Sequence, residues 1–181
     1  LSAGYGLPVQ QSFTHRLQAA LTRSGLRVRV INAGVSGDTS AGGRARIAWS
    51  LAGKPDAVLV ELGANDGMRG LEPSVTKANL DAILKQIRSA GAEALLTGML
   101  APPNLGREYG AEFAALYPAL ARSHGVLYYP FFLEGVATRP ELNQADRIHP
   151  NAAGVDIIVQ GLLPKVKELL KKAQNKKESG G

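Results

Sequence analysis

Two kinds of apolar pattern alternate along this chain of 181 residues, and the alternation restricts the fold more than any other feature. Short runs of β-branched and aliphatic residues predict buried strands. Longer segments between them place apolar residues three and four positions apart, as one face of an α-helix requires. Strand and helix alternate with a spacing of roughly 30 residues, which predicts βαβ units and a parallel sheet with helices on both faces.

The predicted elements form one doubly wound α/β domain over residues 1–172, followed by a flexible basic tail at 173–181. Strands are predicted at 28–31, 57–62, 93–99 and 126–129. Helices are predicted at 9–24, 40–51, 71–90, 111–123 and 152–172, with a bend or break at Pro118 and a cap near Asn151.

Composition excludes several classes of protein. The chain has no cysteine, which rules out thiol catalysis, disulfides and zinc fingers. Its apolar runs fall far short of the ~20 residues that a membrane span needs. Residues 165–181 hold six lysines and two glutamates, so most of the net charge of +6 lies at one end of the chain. Without a basic stripe interleaved with aromatic residues, a nucleic-acid partner is not expected.

Polar loops follow two of the predicted strands, where a parallel sheet binds its ligands. After the first strand, residues 32–40 include Gly37, whose small size lets a ligand approach the backbone. After the second, Asn65 can donate from its side-chain amide to a ligand oxygen. The alternative for residues 32–40 is an ordinary glycine-rich turn with Asp38 or Thr39 as helix cap. The alternative for the loop that contains Asn65 is an ordinary Asn-Asp-Gly turn.

A third polar loop, after the last predicted strand, contains Asp146 and His149. Three positions apart in a turn, the carboxylate can hold one imidazole nitrogen and leave the other as a base. Pro150 restricts the backbone of His149. The alternative is a surface turn before a helix, and the remaining histidines, His15 and His124, are interpreted as structural.

The three loops would converge on one edge of the sheet and supply the equipment for acyl transfer: a base, its orienting acid, an amide and a backbone donor. A metal site formed by His149 with Asp146, Asp38 and Asp66 is an alternative. Because it has only one well-placed histidine, no metal is expected.

These three loops and the first six residues of the chain, taken in order, resemble the sequence blocks of SGNH (GDSL-type) hydrolases. The resemblance is strongest to the bacterial arylesterase and multifunctional thioesterase/lysophospholipase subgroup. The resembling segments are Leu1-Ser2-Ala3-Gly4-Tyr5-Gly6, Ser36-Gly37-Asp38-Thr39-Ser40, Gly63-Ala64-Asn65-Asp66-Gly67 and Asp146-Arg147-Ile148-His149-Pro150. The resemblance covers nearly the whole chain, with these segments in the right order.

The resemblance implies a flavodoxin-like three-layer sandwich with five parallel strands and no cofactor. It implies His149 as general base, Asp146 as its orienting partner, and an oxyanion hole that includes the Gly37 N–H and the Asn65 amide. The implied reaction is serine attack on an ester or thioester, an acyl-enzyme, and hydrolysis by water. Location in the periplasm, or secretion, is implied by resemblance alone, and a cytoplasmic location is the alternative.

The attacking serine of the family stands directly before the position that Leu1 matches. Ser2 matches the second serine of that block, so it is not assigned as the nucleophile. We therefore expect an upstream segment that carries the central first strand and ends in Gly-Asp-Ser. A catalytically dead binding module, or a hydrolase fragment without its nucleophile, is the alternative.

Apolar residues after the second and third strands suggest a small-molecule substrate with a lipophilic acyl or aryl group. We expect Met68, Leu71, Pro103 and Leu105 to line a substrate groove, although they would serve equally well to cover the end of the sheet. Because the base must be a neutral imidazole, activity is expected to rise between about pH 6 and pH 8.

Overall fold

The computed structural model describes residues 1–179, which form two compact units. The first unit comprises Leu1–Ser36 and Phe132–Lys167, and the second comprises Gly37–Phe131 together with the described residues from 168 to 179. The α-helices are α1 (Phe13–Arg23), α2 (Ser40–Leu51), α3 (Ala64–Met68), α4 (Pro73–Ser89), α5 (Arg107–His124) and α6 (Ala152–Ser179). The strands are β1 (Ala57–Val60), β2 (Glu93–Thr97) and β3 (Leu127–Tyr129).

The second unit is built on a parallel sheet in the order β1-β2-β3. Leu95 at the centre of β2 is fully buried and pairs with Leu59 of β1 and Leu127 of β3. A central parallel strand is covered on both faces, which is why its sequence reads as a continuous apolar run. The predicted α/β class with a parallel sheet is confirmed.

The helices of the second unit bury the faces that their periodicity predicts. Leu80, Ile83, Leu84 and Ile87 of α4 are at most 1% exposed and share one face of the helix. Helix α4 packs against α2 and α5, and both α4 and α5 contact β2. Helix α5 continues through Pro118 without a break, contrary to one of the two expectations for that residue.

Aromatic and aliphatic side chains from its two chain segments form the core of the first unit. Phe13 of α1 meets Phe132 edge to face, with ring centroids 5.1 Å apart, a favourable arrangement for aromatic pairs. Helix α6 begins after Asn151, whose side-chain oxygen accepts from the N–H of Gly154 at 3.1 Å, as expected of a cap.

The strand predicted at residues 28–31 does not form within residues 1–179. Gln18 of α1 instead forms hydrogen bonds with the backbone of this segment. Its amide nitrogen donates to the Val28 carbonyl at 2.9 Å, and its amide oxygen accepts from the Val30 N–H at 2.7 Å. A strand is defined by ladder bonds to a neighbouring strand, which a side chain does not supply. The sheet of the described chain therefore has three strands, and the expected count of five is not confirmed.

The C-terminal helix continues beyond residue 172, where the sequence predicts its end. Residues 173–179, expected to be a flexible tail, belong to α6, because its apolar face persists as far as the buried Ala173. Lys176 and Lys177 form ion pairs with Glu93 and Asp56 at 3.1 and 2.7 Å. The last two residues of the predicted tail lie outside the described residues. Over residues 1–179, none of the helices is long and apolar enough to cross a membrane.

Candidate active site

Asp146 and His149 form a hydrogen-bonded pair in the first unit. Oδ2 of Asp146 lies 2.7 Å from Nδ1 of His149, and Oδ1 accepts from the backbone N–H groups of Ile148 and His149 at 2.9 and 3.0 Å. These contacts lower the pKa of Asp146 from its ordinary 3.8 to about 2, with the His149 N–H as the largest cause, its imidazole next, and the Ile148 N–H third. The carboxylate is therefore ionised at neutral pH.

An ionised carboxylate can only accept hydrogen bonds, so the proton of a neutral His149 imidazole lies on Nδ1. The lone pair of the ring then lies on Nε2, which points away from Asp146. This is the tautomer that a general base requires.

The turn that carries this pair is closed by local hydrogen bonds. The Gln144 N–H donates to the His149 carbonyl at 2.7 Å, and the Arg147 N–H donates to the Gln144 carbonyl at 2.9 Å. Arg147 adopts a left-handed conformation with φ of 59°, and an antiparallel bridge joins Asn143 to Pro150 at the base of the turn. Residues 143–150 therefore hold the imidazole in a defined orientation.

Tyr5 lies directly beside His149, a contact that no local sequence pattern predicts. The ring centroids are 4.7 Å apart and the planes are inclined by 40°. The Gln144 side-chain amide donates to the carbonyls of Tyr5 and Pro150 at 2.9 and 3.0 Å, which joins the N-terminal loop to the histidine turn. Leu1, Tyr5 and His149 line one small, largely apolar pocket. The one sequence feature that marks Tyr5 is its position in Leu1-Ser2-Ala3-Gly4-Tyr5-Gly6, the first of the segments that resemble the family.

Gly37 and Asn65 lie together in the second unit. Gly37 is exposed and has φ of 80°, a conformation that glycine adopts at little cost. The Asn65 amide donates to the Asp38 carbonyl at 2.8 Å, and Arg69 donates to the Gly37 carbonyl at 3.2 Å. An amide nitrogen carries two hydrogens, so the bond to Asp38 orients Asn65 and leaves the second hydrogen for a ligand oxygen.

A buried network of polar side chains holds Asp66, the residue that follows Asn65. Asp66 is fully buried and accepts from the backbone N–H of Ser40 at 2.8 Å, from the Ser40 hydroxyl, and from the Thr76 hydroxyl at 3.1 Å. Asn79 donates to the Ser40 hydroxyl at 3.1 Å. The network joins the starts of α2 and α3 to α4, and so connects the residue after Asn65 to the loop that contains Gly37.

The four residues expected to line a groove also lie in the second unit. Met68 and Pro103 are exposed, whereas Leu71 and Leu105 are half-buried. The Tyr109 hydroxyl donates to the Leu71 carbonyl at 2.6 Å, and a Cβ atom at Gly70 would lie 3.6 Å from Leu105. The loop after α3 therefore adjoins the segment before α5, and the groove itself stays a prediction.

Asp38, Thr39 and His124 each have a structural partner. Thr39 caps α2 by accepting from the Gly42 N–H at 3.3 Å, and Asp38 pairs with Arg46 at 2.5 Å. His124 bonds Asp81 at 2.8 Å, whereas His15 is exposed on α1. Within residues 1–179, no group of three histidine or acidic side chains has the geometry to hold a metal ion.

The structure thus brings Asp146 to His149 in one unit, and Gly37 to Asn65 in the other.

Residues 1–157 match the model of the GDSL-like Lipase/Acylhydrolase family. An arylesterase from Vibrio mimicus is 44% identical over 151 residues, which cover 83% of this chain and 76% of the relative. The thioesterase 1/protease 1/lysophospholipase L1 of Escherichia coli K12 is 39% identical over 171 residues, or 94% of this chain and 81% of the relative. The crystal structure of TesA, 42% identical, superposes with a TM-score of 0.89 over 93% of this chain and 94% of that one.

Proposed function

Because this chain belongs to the GDSL-like lipase/acylhydrolase family, we propose that it is a serine hydrolase that cleaves carboxylic esters or thioesters through an acyl-enzyme. Family membership confirms the resemblance found in the sequence. The observation that carries the proposal is the Asp146–His149 hydrogen bond, which supports the role of His149 as a general base. No observation favours a catalytically dead module.

His149 takes up the proton of the serine hydroxyl at Nε2 as the hydroxyl oxygen attacks the carbonyl carbon. It then returns that proton to the leaving oxygen or sulfur. Asp146 stays ionised throughout and stabilises the imidazolium that forms between the two transfers. A water molecule activated by the same imidazole releases the acid.

We assign the Gly37 N–H and the Asn65 amide to the oxyanion hole. Donors that are already oriented stabilise a developing oxyanion without reorganising during the reaction. The Asn65–Asp38 hydrogen bond supports this assignment, because it orients the amide before a substrate binds. Its fixed orientation is supported further by the buried Asp66 network on the adjacent residue.

The proposed nucleophile is a serine at the position directly before Leu1, as in the family pattern. The pocket supports this assignment, because Leu1, which the family pattern aligns directly after the nucleophile, lines it together with His149. Ser2 is not proposed for this role.

Hydrolysis of p-nitrophenyl acetate and butyrate by the natural protein tests the proposal. His149→Ala should lower kcat/KM by about a thousandfold or more. His15→Ala, which removes an exposed histidine of α1, is the matched control and should leave activity unchanged. A fluorophosphonate probe followed by peptide mass spectrometry should label the serine before Leu1. Wild-type activity in His149→Ala, or labelling of Ser2, would contradict the assignment.

Three finer features follow from the family pattern. We propose a flavodoxin-like, three-layer arrangement with five strands, in which residues 1–172 act as one catalytic domain. The half-buried residues of β1, an edge strand with an apolar sequence, support a further neighbouring strand. Met68, Leu71, Pro103 and Leu105 are proposed to bind a lipophilic acyl or aryl group. Periplasmic location or secretion is proposed on family likeness and is tested by cell fractionation.

A further inference from the structure

We infer that Tyr5 selects the leaving group of the reaction, favouring esters of aromatic alcohols over esters of alkyl alcohols. The inference rests on the proposed function and assigns a specificity-determining role to a residue outside the base, its acid partner and the oxyanion hole. It begins from the contact between the rings of Tyr5 and His149.

Tyr5 is unlike the other aromatic residues packed in the first unit. Phe13 and Phe132 are 5% and 1% exposed and fill the core, whereas Tyr5 is 56% exposed although its ring touches the imidazole. A ring that served packing alone would gain more by being buried. The exposed part of the Tyr5 ring is therefore available to a molecule bound beside His149.

The loop around Tyr5 is built to keep the ring in this position. Gly4 and Gly6 on either side have φ of 84° and 71°, which glycine accepts readily. A Cβ atom at Gly6 would lie 2.1 Å from the side-chain oxygen of Gln144, and Gln144 in turn binds the Tyr5 carbonyl. Glycine at position 6 is what allows Gln144 to clamp this loop onto the histidine turn.

The chemistry places the leaving group next to this ring. During acylation the bond from serine oxygen to carbonyl carbon forms, and the bond to the leaving oxygen breaks. The proton moves from serine to Nε2 of His149 and then to that oxygen. The final transfer needs a separation of about 3 Å, so the substituent on the leaving oxygen must lie beside the imidazole and its neighbours. Aromatic pairs are favourable with centroids about 4.5–7 Å apart, so an aryl group in this place can stack on Tyr5.

The effect should be confined to acylation, because water replaces the leaving group in deacylation. The ratio of kcat/KM for phenyl acetate to kcat/KM for 2,2,2-trifluoroethyl acetate isolates it, since both esters form the same acetyl-enzyme. Tyr5→Leu keeps an apolar side chain but removes the aromatic face, and should lower this ratio about two- to tenfold. Tyr5→Phe retains the ring and should keep the ratio within about twofold of wild type.

An equal loss on both esters in Tyr5→Leu would overturn the inference and show that Tyr5 only supports His149. An unchanged ratio would overturn it as well. Tyr5→Phe keeps the test decisive should the Leu variant fold poorly: a ratio lowered by more than about twofold from wild type would mean that the phenol hydroxyl, and not the ring, is responsible, and would overturn the inference. His149→Ala distinguishes a failure of this inference from a failure of the proposed function. If His149→Ala is inactive and the ratio of kcat/KM values is unchanged in the Tyr5 variants, only the leaving-group inference fails. If His149→Ala is fully active, the proposed function fails.

Discussion

Removal of the Asp66 carboxyl group should destabilise the protein more than any change at a surface ion pair. Asp66 is fully buried and accepts hydrogen bonds from the Ser40 N–H, the Ser40 hydroxyl and the Thr76 hydroxyl. In Asp66→Ala all three donors lose their acceptor.

The size of the effect follows from counting these donors. A buried donor left without a partner costs about 1–3 kcal/mol. The Ser40 hydroxyl can rotate, so the backbone N–H of Ser40 and the hydroxyl of Thr76 account for most of the loss, which we place at about 4 kcal/mol. Thr76→Val removes one donor with nearly unchanged shape and should cost about 1 kcal/mol.

Urea unfolding followed by circular dichroism measures these differences as shifts of the midpoint at constant slope. Asp56→Ala is the matched control: its carboxylate is largely exposed and pairs with Lys177, so the change should be under about 1 kcal/mol. A free energy of unfolding for Asp66→Ala within about 1 kcal/mol of wild type would contradict this prediction, because it would mean that water or other groups satisfy the donors.

Two further predictions concern stability at acid pH and the acyl chain length of the substrate. The folded-state pKa of Asp146, about 2, lies below its ordinary 3.8, so the stability that Asp146 contributes is complete above about pH 4 and lost as the pH falls from there towards 2. Thermal unfolding from pH 2 to 6 should show this loss in the wild type and not in Asp146→Asn; equal acid sensitivity would contradict it. Leu71→Asp should lower kcat/KM for butyrate and longer acyl esters more than for acetate, because a carboxylate is unfavourable beside an alkyl chain. Equal losses at every chain length would argue against a groove at Leu71.

Local pattern determines a large part of this protein. Three of the four strands predicted within the chain form inside the predicted segments, at 57–60, 93–97 and 127–129. The Asp146–His149 pair was equally predictable, because residues three apart in a tight turn meet through bonds that the turn itself closes. Helix periodicity and turn chemistry are short-range properties, and a sequence displays them directly.

What lay beyond the sequence depends on partners distant along the chain. Residues 28–31 have the composition of a strand, but a strand exists only where another supplies the ladder, and here Gln18 bonds the backbone. Asp66 read as part of a turn, yet folding buries it beneath Ser40 and Thr76. Tyr5 and His149 lie 144 positions apart, and their contact arises from the clamp that Gln144 makes. Local pattern therefore determined the elements and the Asp146–His149 pair, whereas tertiary packing alone decided which side chains surround them.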